Sequence, residues 1–281
     1  MYSQHFGLTE TPFANTLDPH WFYQSPGHEE ALARLMYLIE ERRRCGVLLG
    51  PAGTGKSLLL QVLLAETRRL PREVVLVDLL GRTGRELLWE TNAALGLGPR
   101  GDETSRLLWR MLGDHLATNC YVHTPTVICF DHVDRAEADC LTALERLYHT
   151  ATVETGVTLI VSARPQRLSK LAQTLSAMAD LHVELPALDR DQTEAYVETL
   201  LTAAGATRMI FEPACYDRIF TETRGVPRDI NRLCDLSLVA GLAEGAARIT
   251  ESIVMATIEQ LHPLRIRPPV FQTRRRTMAE I

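Results

Sequence analysis

The segment GPAGTGKS, residues 50–57, has the residue types and the spacing that bind phosphate groups. It fits the pattern G-x-x-x-x-G-K-[ST], in which glycines allow backbone N–H groups to turn toward phosphate oxygens. The lysine of this pattern reaches the β and γ phosphates, and the hydroxyl after it binds Mg²⁺. We therefore predict that ATP is bound by Gly50, Pro51, Ala52, Gly53, Thr54, Gly55, Lys56, Ser57 and Leu58.

The flanking residues predict that this segment joins a strand to a helix. CGVLLG (45–50) is a short apolar run, and a helical pattern follows over about 56–70. A helix that begins at the segment adds a partial positive charge next to the phosphates. Another apolar run, TVICF (126–130), is followed by Asp131, and a carboxylate at such a strand end holds the hydrated Mg²⁺. The predicted metal ligands are therefore Ser57 and Asp131.

Strands alternate with helices along the first two thirds of the chain. This alternation predicts an α/β fold in which helices cover both faces of a mostly parallel sheet. After about residue 187 the periodicity is helical throughout, which predicts an all-helical lid, and Asp189 and Gln192 have the spacing of a capping box at its start. The predicted strands are 45–50, 74–79, 126–130, 157–163 and 181–185; the predicted helices are 28–44, 56–70, 83–95, 103–118, 136–153 and 166–178, and in the lid 190–204, 212–223, 227–244 and 250–261.

We divide the chain into four parts. Residues 1–27, rich in aromatic residues and proline, predict an irregular lead-in, 28–187 predict a nucleotide-binding core, and 188–262 predict the lid. The last part, 263–281, has five arginines and one glutamate and is predicted to be disordered. Its arginines favour a solvated tail over contact with anionic lipid, nucleic acid or an acidic partner.

The composition is that of an ordinary globular protein. The chain has 281 residues, a net charge of −5 and 46% hydrophobic residues, so it has no overall basic bias toward nucleic acid. Six cysteines are scattered without metal-binding spacing, which favours reduced, buried thiols in a cytoplasmic protein. The start of the chain lacks the pattern of a signal peptide, and no run of about 18 apolar residues predicts a transmembrane segment.

Several longer blocks resemble one known family. They are HFGLTETPF (5–13), LDPHWFYQSPGHEEALARL (17–35), GPAGTGKS (50–57), LPALDRDQTEAYVETLLTAAG (185–205) and TRGVPRDINRLCD (223–235). Over about residues 1–262 the chain resembles the AAA+ ATPases of the general secretion pathway protein A family. The resemblance implies a five-stranded AAA+ core, a helical lid, and ATP-driven assembly into homo-oligomeric rings or partial rings.

The resemblance also implies roles for two residues outside the loop. His28 lies where the linker of the family approaches adenine, although the ordinary polarity of a helix start explains the same residue equally well. Arg228 matches an arginine that reaches from the lid to the γ-phosphate. Gly225 and Pro227 support this role, because glycine suits the end of one helix and proline the start of the next.

Other arginines are candidates for contact with the γ-phosphate or with a neighbouring subunit. At the end of the fourth strand, Arg164 aligns with the polar sensor residue of the family, while Ser162 is the chemically milder choice, and the sequence does not decide between them. The family also places an arginine before the fifth strand to reach the ATP of a neighbour, and LSAMADLHVEL has none. Arg164, Arg167 or Arg146 could take that role.

The segment FDHVDRA (130–136) departs most from the family, which has DEA there and uses the glutamate to orient or deprotonate the attacking water. His132 could replace it, because a neutral imidazole accepts a proton. Asp134 could replace it if the chain turns back, or neither residue does so and hydrolysis is slow. Loss of such a group commonly costs about 10²- to 10⁴-fold in rate. We favour tight ATP binding with weak hydrolysis.

These features favour a nucleotide-switched ATPase that acts on a protein partner in a membrane-associated assembly for secretion, pili or exopolysaccharide export. Members of the family continue into a membrane helix and a periplasmic domain, and this chain ends after a basic tail, so we expect the cytoplasmic module alone. A DNA-transaction regulator of the transposition type is the alternative, since those ATPases have a similar loop and lid. The acidic net charge argues against DNA as the partner.

Overall fold

A five-stranded parallel sheet forms the centre of the molecule. The computed structural model describes residues 2–68, 70–152, 154–165 and 171–261. The strands are β1 (Cys45–Leu49), β2 (Glu73–Asp78), β3 (Thr126–Asp131), β4 (Val157–Ala163) and β5 (Leu181–Glu184), in the spatial order β2-β3-β4-β1-β5. Every neighbouring pair is parallel. The predicted α/β fold is confirmed, and each strand lies within one residue of its predicted bounds.

Helices lie on both sides of the sheet and continue into the lid. α2 ends at Glu40 rather than at residue 44, because Arg42 has a φ of 50° and the N–H of Arg43 donates to the carbonyl of Leu38, a geometry that ends helices. Residues 166–170 of one predicted helix lie outside the described residues. The helices are α1 (Tyr2–Phe6), α2 (Pro26–Glu40), α3 (Lys56–Thr67), α4 (Gly84–Ala94), α5 (Ser105–Tyr121), α6 (Ala138–Thr150), α7 (Leu171–Met178), α8 (Arg190–Ala203), α9 (Ala214–Thr223), α10 (Pro227–Ala243) and α11 (Glu251–Leu261).

The central strands are apolar throughout because both faces of the sheet are covered. Side chains alternate between the two faces along each strand. Val47 and Ile128 belong to an apolar cluster with residues of α4, α5 and α6. Leu48 and Cys129 belong to a second cluster with residues of α2 and α3 on the opposite face. This double coverage explains why the strands read as continuous apolar runs rather than as alternating ones.

The carboxyl ends of the strands meet at one edge of the sheet. The pairing register places Asp78 of β2 opposite Asp131 of β3, and Leu49 of β1 opposite Ala163 of β4. The predicted phosphate-binding segment follows β1 directly. Ligands of open parallel sheets bind at this edge, so the fold brings the predicted metal carboxylate and the predicted loop to the same place.

The lid helices α8–α11 surround an apolar cluster that the start of the chain completes. Phe6, Leu8 and Phe13 are buried in this cluster. The lead-in was expected to be irregular, but it contains the short helix α1, whose Tyr2 hydroxyl donates to Asp235 at 2.6 Å. Its aromatic residues therefore serve to fill the core of the lid.

A close backbone contact joins the segment before α8 to the turn between α9 and α10. Gly225, between α9 and α10, has a φ of 70°, and a Cβ at this position would lie 1.7 Å from the carbonyl oxygen of Leu188. The N–H of Leu188 donates to the carbonyl of Gly225 at 2.9 Å. Glycine is required here by both the backbone conformation and the space. The domain boundary at 186–188 stays a prediction.

Two further predictions from composition concern the thiols and the membrane. Cys45, Cys129, Cys140, Cys215 and Cys234 are buried, Cys120 is partly exposed, and all six are free, as expected. Among the helices in the described ranges, none has both the length and the apolar character that crossing a bilayer demands.

The capping box predicted at Asp189 and Gln192 is present at the start of α8.

Candidate functional site

The glycine-rich loop turns between β1 and α3 as its sequence predicts. Gly53 and Gly55 have φ angles of 85° and 99°, a region that side chains other than glycine rarely adopt. Lys56 is buried, and its Nζ donates to the carbonyls of Gly50 at 2.7 Å and of Pro51 at 2.8 Å. Lys56 therefore lies folded along the loop, at the N-terminus of α3.

His28 contacts the backbone of this loop. Its Nε2 donates to the carbonyl of Thr54 at 3.1 Å, and the hydroxyl of Ser25 donates to its Nδ1 at 2.7 Å. Burial lowers the pKa of His28, which favours this neutral tautomer. A Cβ at Gly55 would lie 2.9 Å from its Nε2. Both ring nitrogens are thus engaged by the protein, and His28 lies against the backbone of the loop; its approach to adenine stays a prediction.

A cavity of about 350 Å³ lies between the loop, the edge of the sheet and the lid. The loop contributes Ala52, Gly53, Gly55, Lys56, Ser57 and Leu58 to its walls, while Gly50, Pro51 and Thr54 shape the loop without lining it. Arg228, at the start of α10, also lines this cavity, and its backbone N–H donates to the carbonyl of Gly53 at 3.2 Å. The structure therefore brings the predicted lid arginine and the predicted loop into direct contact.

Sequence reasoning missed a polar network that lines the same cavity. The hydroxyl of Tyr196 donates to Asn231 Oδ1 at 2.8 Å, and Asn231 Nδ2 donates to Asn15 Oδ1 at 3.2 Å. All three residues line the cavity, so the lead-in, α8 and α10 meet there. Asn231 lies in the block TRGVPRDINRLCD and Tyr196 in the block LPALDRDQTEAYVETLLTAAG, which were the available signals; Asn15 had none.

Asp131 lies at the end of β3 and is held by its neighbours. Its Oδ1 accepts a hydrogen bond from the Ser162 hydroxyl and another from the backbone N–H of His132 at 2.9 Å. Asp131 and Ser57 both line a second cavity of about 420 Å³, next to the first. The two predicted metal ligands therefore face a common space. Ser162 is buried and hydrogen-bonded to Asp131, whereas Arg164 lines the first cavity, between the loop and the lid.

His132 forms a pair with a carboxylate that the sequence did not single out. Its Nδ1 lies 2.9 Å from Asp78 Oδ1 and 3.5 Å from Asp131 Oδ2. His132 has a φ of 57°, a left-handed conformation in which histidine is enriched. Asp78 ends the apolar run of β2 as Asp131 ends that of β3, and this parallel was the missed signal. When Nδ1 donates to Asp78, Nε2 is left as the acceptor.

Asp134 is not free beside the cavity. It belongs to a short 3-10 helix, Val133–Arg135, and its side chain is 1% exposed. It accepts hydrogen bonds from the Nε of Arg164 at 2.7 Å and from the backbone N–H of Arg164 at 3.3 Å. The chain does turn back after β3, as one interpretation required, but the carboxylate is engaged by Arg164.

Three cationic side chains line the first cavity: Lys56, Arg164 and Arg228. Burial lowers the pKa of Lys56 to about 8; the carboxylates of Asp131 and Asp134 oppose this shift, and the guanidinium groups of Arg164 and Arg228 add to it. Three cations thus influence one another across the cavity, and an anionic ligand would relieve their repulsion.

We expect the affinity for ATP to fall as the pH rises through about 8. Below that pH Lys56 carries the charge that attracts phosphate, whereas an ordinary lysine stays charged up to about 10.5. Because bound phosphate favours the ammonium form, binding near pH 8 should take up a proton, measurable by calorimetry in buffers of different ionisation enthalpy. The chain has two lysines, Lys56 and Lys170, so ¹³C-methylated lysines can be titrated individually. Equal affinity at about pH 7 and about pH 9 would contradict this expectation.

The residues present fit a nucleoside triphosphate with Mg²⁺. The loop offers backbone N–H groups and Lys56, and Arg164 Nη2 is buried without a hydrogen-bond partner among the described residues. A hydroxyl and a carboxylate are hard oxygen ligands, as Mg²⁺ prefers. Within the described ranges no cluster of three or more His, Cys, Asp or Glu side chains could hold a metal by itself.

Comparisons with known proteins agree with this geometry. Residues 39–171 match the family model of the AAA domain. The general secretion pathway protein A of Aeromonas hydrophila is 30% identical over 276 residues, which cover 94% of this chain and 49% of that protein. The chain therefore spans about half the length of this curated relative.

Solved structures share the fold at low sequence identity. Cdc6p from Pyrobaculum aerophilum has a TM-score of 0.67 at 18% identity, covering 85% of this chain and 67% of that one. The ORC1 protein of Aeropyrum pernix, solved in complex with DNA, has a TM-score of 0.65 at 15% identity, covering 90% and 69%. The RuvB Holliday junction branch migration motor of Thermotoga maritima has a TM-score of 0.57 at 19% identity, covering 86% and 74%. Together with the curated relative, they show that residues 39–171 contain an AAA domain, that the chain has the AAA-type P-loop fold, and that it is similar to general secretion pathway protein A over 94% of its own length.

Proposed function

We propose that this chain is a nucleotide switch that binds ATP with Mg²⁺, hydrolyses it slowly and, in its ATP-bound form, assembles or regulates a protein complex. The observation that carries the proposal is the direct backbone contact between Arg228 of the lid and Gly53 of the loop, both of which line the same cavity. A phosphate bound at the loop attracts Arg228, so the number of phosphates changes the force on α10. The angle of the lid then depends on the nucleotide.

The proposed roles follow from the positions of the side chains. Lys56 and the loop N–H groups bind the phosphates, and Arg164 and Arg228 face the γ-phosphate. Ser57 and Asp131 hold Mg²⁺, which when bound neutralises phosphate charge. Slow hydrolysis is supported because a histidine, His132, stands beside the cavity and the nearby Asp134 is already bonded to Arg164.

We propose a protein of a membrane-associated secretion, pilus or exopolysaccharide assembly as the partner, on the ground of the homologue named general secretion pathway protein A. We also propose that the chain forms a homo-oligomer when ATP is bound and works in the cytoplasm. The fold supports the oligomer, since an ATP site at the edge of a sheet can be completed by an arginine of a neighbour.

Size-exclusion chromatography with light scattering tests this proposal. We expect Mg²⁺ with a non-hydrolysable ATP analogue to raise the mass above that measured with ADP or without nucleotide. Arg228→Ala should lose this response. Arg232→Ala is the matched control, because Arg232 lies on the same helix, is exposed and does not line the cavity. If the ATP analogue changes neither the mass of the wild-type protein nor its binding to the partner assembly, the proposed switch is refuted.

The same samples test the alternative of a DNA-transaction regulator. Fluorescence anisotropy with duplex DNA at low salt would show binding that ATP stimulates and added salt weakens. We expect no ATP-stimulated binding, because the net charge of the chain is −5. Salt-sensitive, ATP-dependent binding would replace the protein partner with DNA.

A further inference from the structure

We propose that Asp134 is a positioning residue, which fixes Arg164 on the wall of the cavity so that its guanidinium group binds the third phosphate of the nucleotide. The pair Asp134–Arg164 would then be the part of the site that distinguishes a triphosphate from a diphosphate. The inference rests on the proposed binding of ATP and adds a residue that acts through another one.

Both oxygens of Asp134 are engaged by the same residue. Oδ2 accepts from Arg164 Nε at 2.7 Å, and Oδ1 accepts from the Arg164 backbone N–H at 3.3 Å. The side chain of Asp134 is 1% exposed and that of Arg164 18% exposed. Holding a residue by its backbone and by its side chain leaves the guanidinium little freedom to rotate. These bonds and the burial of the side chain argue against Asp134 as the base that deprotonates water.

The orientation leaves one end of the guanidinium unsatisfied. Arg164 Nη2 is buried and has no hydrogen-bond partner among the described residues. A buried N–H of a charged group without an acceptor is costly, so the unpaired Nη2 indicates that an acceptor is missing. Arg164 lines the same cavity as Lys56 and Arg228, so an anionic oxygen is the acceptor that fits.

The position of Arg164 in the sheet favours the third phosphate over the first two. Arg164 follows β4 directly, and β4 lies between β1, which carries the loop, and β3, which ends at Asp131. Ser162, two residues before Arg164, is bonded to Asp131. Arg164 therefore stands on the side of the cavity nearest Asp131, the residue that would hold Mg²⁺ next to the terminal phosphate.

If the Asp134–Arg164 ion pair had only a structural role, removing the charge of Asp134 would change the ratio of triphosphate to diphosphate affinity in the opposite direction. Asp134 carries a negative charge next to an anion-binding cavity, so removing that charge alone should strengthen the binding of a triphosphate more than that of a diphosphate. Loss of positioning should do the reverse. The sign of the change in the affinity ratio therefore separates the two roles.

The experiment is calorimetric titration with Mg²⁺ and either AMP-PNP or ADP. Asp134→Asn keeps the shape of the side chain and removes its charge; Asp134→Glu keeps the charge and moves the carboxylate. We expect both variants to lower the ratio of AMP-PNP affinity to ADP affinity by roughly tenfold or more, as Arg164→Gln does, which is the size expected for one hydrogen bond between charged groups. Adding Asp134→Asn to Arg164→Gln should lower the ratio no further.

Several outcomes would overturn the inference. One is a ratio that stays unchanged or rises in both Asp134 variants; another is a ratio that Arg164→Gln leaves unchanged. ADP affinity reports that the loop of each variant is folded, and the double variant, which leaves no buried unpaired charge, tests the coupling if a single variant does not fold. A wild-type protein that binds neither nucleotide would instead refute the proposed function.

Discussion

Lys56→Met is expected to lower the affinity for ATP and for ADP by at least about 10²-fold, since it removes a charged donor that reaches two phosphates. Lys56 is buried at the start of α3, where its Nζ donates to two carbonyls of the loop. Methionine keeps the length and most of the volume of the stem, so the loss is confined to the ammonium group. Fluorescence or calorimetric titration with both nucleotides measures it.

The stability of the same variant provides the control. The pKa of Lys56 is lowered from 10.5 to about 8 by burial, so the charged form is disfavoured in the folded protein. This penalty is fully present below about pH 8 and disappears as the pH rises through about 10.5. Lys56→Met should therefore raise the free energy of unfolding at pH 7 without nucleotide, by on the order of 1–3 kcal/mol.

The two measurements together separate a binding defect from a folding defect. A variant that loses nucleotide affinity while its melting temperature rises has lost a ligand contact. Nucleotide affinity that stays within about threefold of wild type would contradict the proposed role of the loop. A fall in stability at pH 7 would contradict the penalty assigned to the buried ammonium group.

The sheet and its order of elements could be predicted because each strand carries its own local signal. β3 and β4 are buried on both faces, and their apolar runs TVICF and VTLIVSA are bounded by polar or turn residues. The lead-in was harder, because its aromatic residues pair with a distant part of the chain. Phe6 fills the core of the lid beside residues more than 180 positions away, such as Val197.

The phosphate-binding loop was predictable for the same reason: its chemistry and its spacing lie in eight consecutive residues. The rest of the site depends on contacts between distant segments. Asp78 and His132 are 54 positions apart, and Asn15 and Asn231 are 216 positions apart. A sequence shows which residues end the strands but not which pairs of ends will exchange hydrogen bonds.

His28 and Asp134 show what the sequence could not predict about the site, namely the hydrogen-bond partners of their side chains. The resemblance placed His28 near the nucleotide, and the structure places it next to the loop, but both of its ring nitrogens are bonded to Ser25 and Thr54. Asp134 was a candidate base on the condition that the chain turns back. The chain does so, and Arg164 occupies the carboxylate. In each case the hydrogen-bond partners of the polar atoms could be read only from the coordinates.

Replacing His132 by glutamate together with Asp78→Asn is expected to raise the rate of phosphate release from ATP by about 10²-fold. A carboxylate offers acceptor oxygens and a negative charge to the attacking water. The imidazole of His132 offers at most Nε2, because Nδ1 is paired with Asp78 at 2.9 Å. The second substitution matters, since a glutamate at 132 would stand beside Asp78 and Asp131, and neighbouring carboxylates disfavour each other's ionised form.

The single variants are the controls for this design. Asp78→Asn alone removes the partner of His132 without supplying a carboxylate, so its turnover should stay at the wild-type level or below it. His132→Glu alone should gain less than the double variant, by the cost of placing two carboxylates together. Position 132 has a left-handed backbone with a φ of 57°, which costs a glutamate about 1 kcal/mol or more. Melting temperatures show whether that strain affects the fold.

The opposite result would assign the histidine a working role. If the double variant is slower than wild type and Asp78→Asn alone also slows phosphate release, His132 acts as the base and Asp78 holds its Nδ1–H so that Nε2 faces the water. Nucleotide affinity decides between this outcome and simple damage, because Lys56 and the loop bind ATP in every variant. A slower double variant with unchanged affinity would mean that the Asp78–His132 pair, rather than a glutamate, activates the water and that phosphate release by the wild-type protein depends on it.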